Sequence, residues 1–364
     1  MPWTVMVYMG ADNLPTERDL TKAAHDDIDE MVAGANPNAT VLVQVDDSSV
    51  GHARRFEVTG NGLVAQSFAG ENAPIDMASA SVFADFLDWG FSYANDHYLL
   101  VLWGHAYRFA FGYDASAKGD ALDFHRLSGV LRTFAAHGRR LDVLGFDACG
   151  VSAIEIAYEL RTSVDYLIAS EAPVPLLGWP YATILGRIAA NGDIDPPTFS
   201  RGIVDDYLTS LAGRTVMLAA ISLAPANYQQ IVDRMRLLSA SLAVGLADRV
   251  ERAAIVASFE YAAFTDREPL VDLAQLCGAL RTISTDKDTR AAAADMLALL
   301  DDKTFVIALD RRGKALEGLG GISAYAPHVA PPSVRVTIDS RYNQLDLALD
   351  TLWPAVVKFL DLAT

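Results

Sequence analysis

A doubly wound α/β fold with a mostly parallel sheet is predicted by three features of this 364-residue chain. Tyr98, Leu99, Leu100, Val101 and Leu102 form an unbroken apolar run, the pattern of a strand buried on both faces, and it ends in Trp103-Gly104-His105. About forty residues later Leu141, Val143, Leu144 and Phe146 repeat that pattern, after which Ile154, Ala157, Tyr158 and Arg161 recur at helical spacing. Across the first half, strand and helix patterns alternate, which implies parallel strands joined by right-handed crossovers.

The first strand is expected over residues 3–9, ending in Gly10-Ala11-Asp12-Asn13. A helix follows, with Thr16 as candidate N-cap and Asp19 three residues on, and extends to about residue 33. Residues 40–45 are the next strand, closed by Asp46-Asp47, and 55–58 alternate like an exposed hairpin strand before the turn signal Asn61-Gly62. Val82, Phe83, Phe86, Leu87 and Phe91 mark a helix that leads into the His105 strand. Residues 106–124 have no period and read as a loop, the best candidate for a lid or a processing site. Leu127, Val130, Leu131 and Phe134 then make a helix closed by Gly138, and 164–169 are a further strand ending in Ser170-Glu171. The Pro- and Gly-containing stretch 171–181 is a rigid loop expected to line the mouth of a cleft at the strand ends.

Two regions are expected, a catalytic one over 1–185 and a helix-rich supporting one over 186–364. In the second, helices are predicted at 197–212, 224–243, 250–264, 270–282, 289–301 and 345–360, with strand-like runs at 214–222, 305–309 and 321–326. This half shows no polar constellation of its own, so it is read as packing on the sheet and extending it.

Composition narrows the function classes. With 29 basic and 46 acidic side chains the net charge is −17, the wrong sign for neutralising nucleic-acid phosphates. A basic peptide would be attracted, although acidity also serves solubility alone. No apolar stretch reaches the roughly 18 residues of a membrane span. The opening Met1-Pro2-Trp3-Thr4-Val5 has no basic segment of a secretory signal, so cytoplasm is the default unless a signal was removed. Cys149 and Cys277 are the two cysteines, too few for a disulfide framework, and Cys277 falls in the apolar helix pattern Leu270, Leu273, Leu276, Leu280. His and Cys are too scattered for a zinc site, and neither a dinucleotide-binding nor a phosphate-cradling glycine loop is present.

Cys149 lies beyond the carboxyl end of one predicted strand and His105 beyond another. Such ends are neighbours in a doubly wound sheet, and a thiol beside an imidazole is the minimum for thiol nucleophilic catalysis. Placement just before a helix N-terminus would favour thiolate. The alternatives are a small packing residue for Cys149 and a core imidazole for His105.

The same residues carry a resemblance. Val5-Met6-Val7-Tyr8-Met9-Gly10-Ala11-Asp12-Asn13, then His97 through His105, Phe146-Asp147-Ala148-Cys149, and Ala169-Ser170-Glu171 followed by Gly178-Trp179-Pro180-Tyr181 resemble the clostripain family of cysteine peptidases. The likeness is strong over 1–185 and vaguer beyond, where Gly320-Gly321-Ile322-Ser323-Ala324-Tyr325 echoes it. It implies a caspase-like α/β/α sandwich with a mostly parallel central sheet, here with a helix-rich C-terminal extension. It also implies an endopeptidase that cleaves after Arg or Lys, with Cys149 as nucleophile and His105 as general acid.

Asp147 would be one carboxylate of an acidic P1 pocket; its alternative is a cap of the helix after Cys149. Glu171, Leu177 and Trp179 are expected at the cleft. Leu177 stands where relatives often have a second carboxylate, and Asp12 is the residue that would restore that charge. After the histidine, Ala106-Tyr107-Arg108 replaces the family's common Gly-Gly. Some relatives cut themselves in the intervening loop, where Lys118-Gly119 is the candidate here. No cofactor is required by the residues, but calcium occurs in the family and Asp12, Asp46 and Asp47 are candidate oxygens; solvated carboxylates are the alternative. The expected partner is a peptide or protein substrate, with no nucleic acid and no membrane, and a monomer is the default state. The competing functional readings are a catalytically degenerate binding or regulatory module and an unrelated α/β enzyme acting on a small molecule.

Overall fold

The computed structural model describes residues 2–13, 19–69, 71, 74–107, 109–115, 120–264, 269–329 and 340–363. In chain order, β1 (Trp3–Gly10) is followed by α1 (Thr21–Gly34), β2 (Ala39–Asp46) and the hairpin β3 (Arg54–Thr59) and β4 (Gly62–Gln66). Next, α2 (Ala80–Phe91) precedes β5 (His97–Gly104). Residues 106–124, read from sequence as a loop, hold three short strands, β6 (Ala106–Tyr107), β7 (Ala110–Asp114) and β8 (Asp120–Asp123), paired antiparallel. β6 has only two residues, β8 has no two-residue alternation, and Gly112 interrupts the pattern of β7, so none is read from sequence.

The chain continues through α3 (Phe124–Ala136), β9 (Leu141–Asp147), α4 (Ile154–Leu160), β10 (Val164–Ala169), α5 (Tyr181–Ala190), α6 (Pro196–Ser210) and β11 (Val216–Ser222). It closes with α7 (Pro225–Gly245), α8 (Arg249–Ala262), β12 (Leu270–Asp272), α9 (Leu273–Ile283), α10 (Lys287–Asp301), β13 (Val306–Arg312), β14 (Ser323–Tyr325), α11 (Asp346–Asp350) and α12 (Trp353–Ala363).

The helix expected as one piece over 345–360 is two. Thr351 between them is extended, and Pro354 at the start of α12 has no N–H to continue an earlier helix. The start of α1 is also later than expected: Asp19 accepts the Thr21 N–H at 2.9 Å, while Thr16 lies outside the described residues.

Among the described residues the main sheet has the order β13-β11-β10-β9-β5-β1-β2-β3-β4. Its centre, β10-β9-β5-β1-β2, is parallel, and both margins are antiparallel. The third strand-like run of the second half, β14, pairs with β12 outside this sheet.

Each central strand is apolar throughout because both faces are covered. On β1, Val5, Val7 and Met9 pack with residues of α1, α5 and α6, whereas Met6 and Tyr8 pack with α2 on the opposite face. The result is a three-layer α/β/α sandwich. No helix among the described residues is long and apolar enough to cross a membrane.

Register sets the level of the strand ends. Gly10 pairs with both Asp46 and Gly104, and Trp103 pairs with Asp147, so β1, β2, β5 and β9 finish along one rim. Gly104 has φ +138, and a Cβ there would meet the Gly10 carbonyl oxygen at 2.6 Å, so only glycine closes this rim.

Candidate active site

A pocket opens at that rim, lined by Leu20, Trp103, Gly104, His105, Asp147, Ala148, Cys149, Val174, Pro175, Leu176 and Gly178. His105 follows β5 directly, and its carbonyl accepts the Gly112 N–H at 2.9 Å, which ties it to the small β6–β8 sheet. Cys149 comes two residues after β9 and is partly exposed. The strand ends thus bring His105 and Cys149 to one pocket although 43 residues separate them in the chain.

Cys149 does not sit on a helix N-terminus. Gly150, at φ +61, turns the chain, Val151 and Ser152 donate to the Ser170 carbonyl, and α4 begins only at Ile154. The thiol is met instead by the Val174 N–H, 3.2 Å from Sγ. A donor aimed at sulfur is a contact that strengthens when the sulfur carries charge. The sequence places a helix N-terminus at this sulfur; in the structure the donor that meets it is one amide of the 171–181 loop.

Asp147 does not cap α4 either. Its Oδ2 accepts the Trp179 N–H at 2.9 Å and the Tyr181 hydroxyl at 3.0 Å, holding the start of α5 to the end of β9. The carboxyl is 5% exposed and still borders the pocket. Asp27 of α1 approaches the same spot: it is 3% exposed and its Oδ2 accepts the Trp103 indole N–H at 2.6 Å. Burial pushes both carboxyls well above the usual range, and for Asp27 the neighbouring Asp147 charge adds to it. The two therefore titrate as a pair that keeps a proton at neutral pH.

The other expected cleft residues lie elsewhere. Leu177 is 57% exposed and does not line the pocket; the apolar wall comes from Leu20, Val174 and Leu176. Trp179 is fully buried, its ring edge filling the space that a Cβ on Gly145 would occupy. Glu171 is buried away from the pocket, accepting the Gly321 N–H at 2.9 Å and sharing a buried environment with Asp272, so burial raises it strongly. Lys118 and Arg108 lie outside the described residues. Cys277 is buried on α9.

Asp12 is likewise not in the pocket. Its carboxylate clusters with those of Asp46 and Asp114, with ligand oxygens within 4.8 Å of one another. Asp46 is pushed up to about 7, first by burial and then by the Asp114 and Asp12 charges. Asp47, expected with this group, is instead bonded to Arg54, to His25 at 3.0 Å and to the Ser49 N–H at 2.8 Å. Asp114 takes its place, and also accepts the Met77 N–H at 2.7 Å.

Sequence reading missed Asp27, Leu20, Val174 and Leu176. A signal existed for Asp27: Ala23, Ala24, Asp27, Ile28 and Met31 are the buried face of α1, and a carboxylate in an apolar stripe needs a reason to be there.

Compared with protein families, residues 7–325 match the clostripain family. The chain belongs to that family. It is accordingly a cysteine peptidase, a hydrolase whose substrates are peptides or proteins. No curated protein matches it. Similar solved structures include a secreted C11 cysteine protease from Bacteroides thetaiotaomicron in complex with an irreversible peptide inhibitor, at 20% identity and TM-score 0.69 over 98% of this chain and 100% of that one. Another is an inactive zymogen C11 protease from Parabacteroides distasonis, at 18% identity and TM-score 0.69 over 96% and 98%. At these identities the likeness shows the fold, and the clostripain-family chain shares it from end to end.

Proposed function

We propose that this clostripain-family member is an endopeptidase that cleaves after Arg or Lys, with Cys149 as nucleophile and His105 as general acid and base. The observation that supports this most directly is the shared pocket: His105 and Cys149 follow the ends of paired strands and line it together with Asp147 and the apolar Leu20, Val174 and Leu176. The lining is matched in chemistry to a long cationic side chain, with Leu20, Val174 and Leu176 offered to its methylenes and Asp147 to its charge.

In this reading the Cys149 thiolate, its proton held by His105, attacks the scissile carbonyl carbon. Collapse of the tetrahedral adduct breaks the C–N bond, and His105 delivers its proton to the departing amine. A thioester to Cys149 remains. His105 then takes a proton from water, the hydroxide adds to the thioester, and the acid product leaves as the thiolate re-forms.

A reactive peptide ketone with Arg at the terminal position tests the proposal. It should modify Cys149 alone, and Cys149→Ala protein should neither be labelled nor hydrolyse peptides. Labelling of wild-type protein without any turnover would favour a binding module.

For the calcium known in the family, the donor set that fits is Asp12, Asp46 and Asp114, an all-oxygen group suited to a hard cation. Such an ion would supply charge neutralisation at the rim, between the ends of β1, β2 and β7.

A further inference from the structure

Asp27 and Asp147 come from distant parts of the chain, α1 and the end of β9, yet converge under a single residue. A Cβ built on Gly178 would lie 2.8 Å from Oδ2 of Asp147 and 2.8 Å from Oδ2 of Asp27. The two oxygens are therefore separated by at most twice that distance. Gly178 has φ +55, and it lines the pocket. The missing side chain leaves the two carboxylates open to one another just below the pocket lining.

Buried carboxylates are ordinarily held by a cationic partner. Among the described residues neither Asp27 nor Asp147 has Arg, Lys or His within ion-pair distance, although both are at least nine-tenths buried. Their partners are neutral donors: the Trp103 indole for Asp27, and the Trp179 amide and Tyr181 hydroxyl for Asp147. Glu30 and Asp26 on α1 add to the negative field at the pair, while Tyr181 on α5 and Tyr207 on α6 stay neutral because burial and the Asp147 charge raise their hydroxyls.

We propose that Asp27 is the second carboxylate of the P1 pocket, so that the cation of a P1 Arg or Lys is held between Asp27 and Asp147 beneath Gly178. This rests on the reading of the cleft as a P1 site for basic residues. It also accounts for Leu177: the charge absent from the loop is supplied from α1. A planar guanidinium spans two adjacent carboxylates better than an ammonium does, so Arg is favoured over Lys. The cation displaces the proton that the pair holds at neutral pH, so binding of a basic P1 releases a proton that a neutral P1 does not.

The test compares matched peptide substrates that differ only at P1: Arg, Lys, the neutral Arg isostere citrulline, and Leu. In wild-type protein kcat/KM for Arg should exceed that for citrulline by on the order of a hundredfold. Asp27→Asn keeps an acceptor for Trp103 and should lower the Arg-to-citrulline ratio by roughly tenfold or more. An unchanged ratio in Asp27→Asn, beside a reduced ratio in Asp147→Asn, would make Asp27 a structural acceptor and overturn the inference. Loss of selectivity in wild-type protein itself would instead remove the basic-P1 reading on which it rests. Should Asp27→Asn not fold, titration calorimetry of wild-type protein decides. At pH 7 a peptide aldehyde ending in Arg should release about one more proton than its citrulline twin. Equal release by the two would overturn the proposal.

Discussion

Trp103 and Asp147 are register partners across β5 and β9, and each is followed two residues later by a side chain of the pocket, His105 in one case and Cys149 in the other. The spacing of the imidazole and the thiol is thus set by a parallel ladder in the core of the sheet, not by the loops that carry them. A site built on strand ends is held more firmly than one built on loops.

Cys149→Ala should abolish peptide hydrolysis, and His105→Ala should lower kcat by roughly a hundredfold to ten-thousandfold. Both side chains are partly exposed, so denaturant midpoints should stay close to wild type. Retained turnover in the Cys149→Ala protein on a panel of peptides would remove the dyad assignment.

Asp147→Ala should reduce kcat/KM for Arg substrates by roughly tenfold to a hundredfold more than for Leu substrates, because the charge facing P1 is lost. A stability cost accompanies it. The Trp179 amide and Tyr181 hydroxyl lose their shared acceptor, which should cost about 1–3 kcal/mol in urea unfolding. Equal kinetic losses on both substrates would mean that Asp147 acts only through the start of α5.

Gly145→Ala should destabilise the protein by about 1–3 kcal/mol without touching the pocket directly. Its new methyl would stand 2.4 Å from the ring of the fully buried Trp179, so the ring or the strand must shift. Displacement of Trp179 moves Gly178 with it, so a lower Arg selectivity should appear together with the lower midpoint. A neutral outcome in both measurements would show that the indole has room to shift.

Asp46 carries a pH signature. Its carboxyl is raised from 3.8 to about 7, so between those values the folded state holds a proton that the unfolded chain has released. Stability from this group is full below the lower value and is lost as pH rises through the upper one. Asp46→Asn should flatten that decline. Calcium at pH 8 should raise the melting temperature of wild-type protein and leave Asp46→Asn unmoved; no shift in the wild type would leave the three carboxylates as a proton-sharing cluster only.

Lys118, outside the described residues, is the proposed point of self-cleavage. Mass spectrometry of concentrated wild-type protein should find a cut after Lys118 that is missing in Cys149→Ala protein. An intact chain with full peptide activity would show that no maturation at this position is needed.

The central strands were legible in the sequence because a strand buried on both faces writes itself as an unbroken apolar run. That local pattern alone placed His105 and Cys149 beyond strand ends. The short strands β6, β7 and β8 left no such trace, whereas the break between α11 and α12 is written in the sequence as Pro354. The tertiary structure decided what depends on which distant segments meet. Leu177 and Leu176 are neighbours of equal hydropathy, yet the chain turn into Gly178 exposes the first and puts the second in the pocket wall. Asp12 and Asp27 are both acids of the first strand–helix unit. The register of β1 against β2 sends Asp12 toward Asp46, while the packing of α1 on Trp103 brings Asp27 to Asp147. Periodicity reports which face of an element is buried, but what that face meets is fixed only when distant strands, such as β1 and β5 with Trp3 paired to His97, take their places in one sheet.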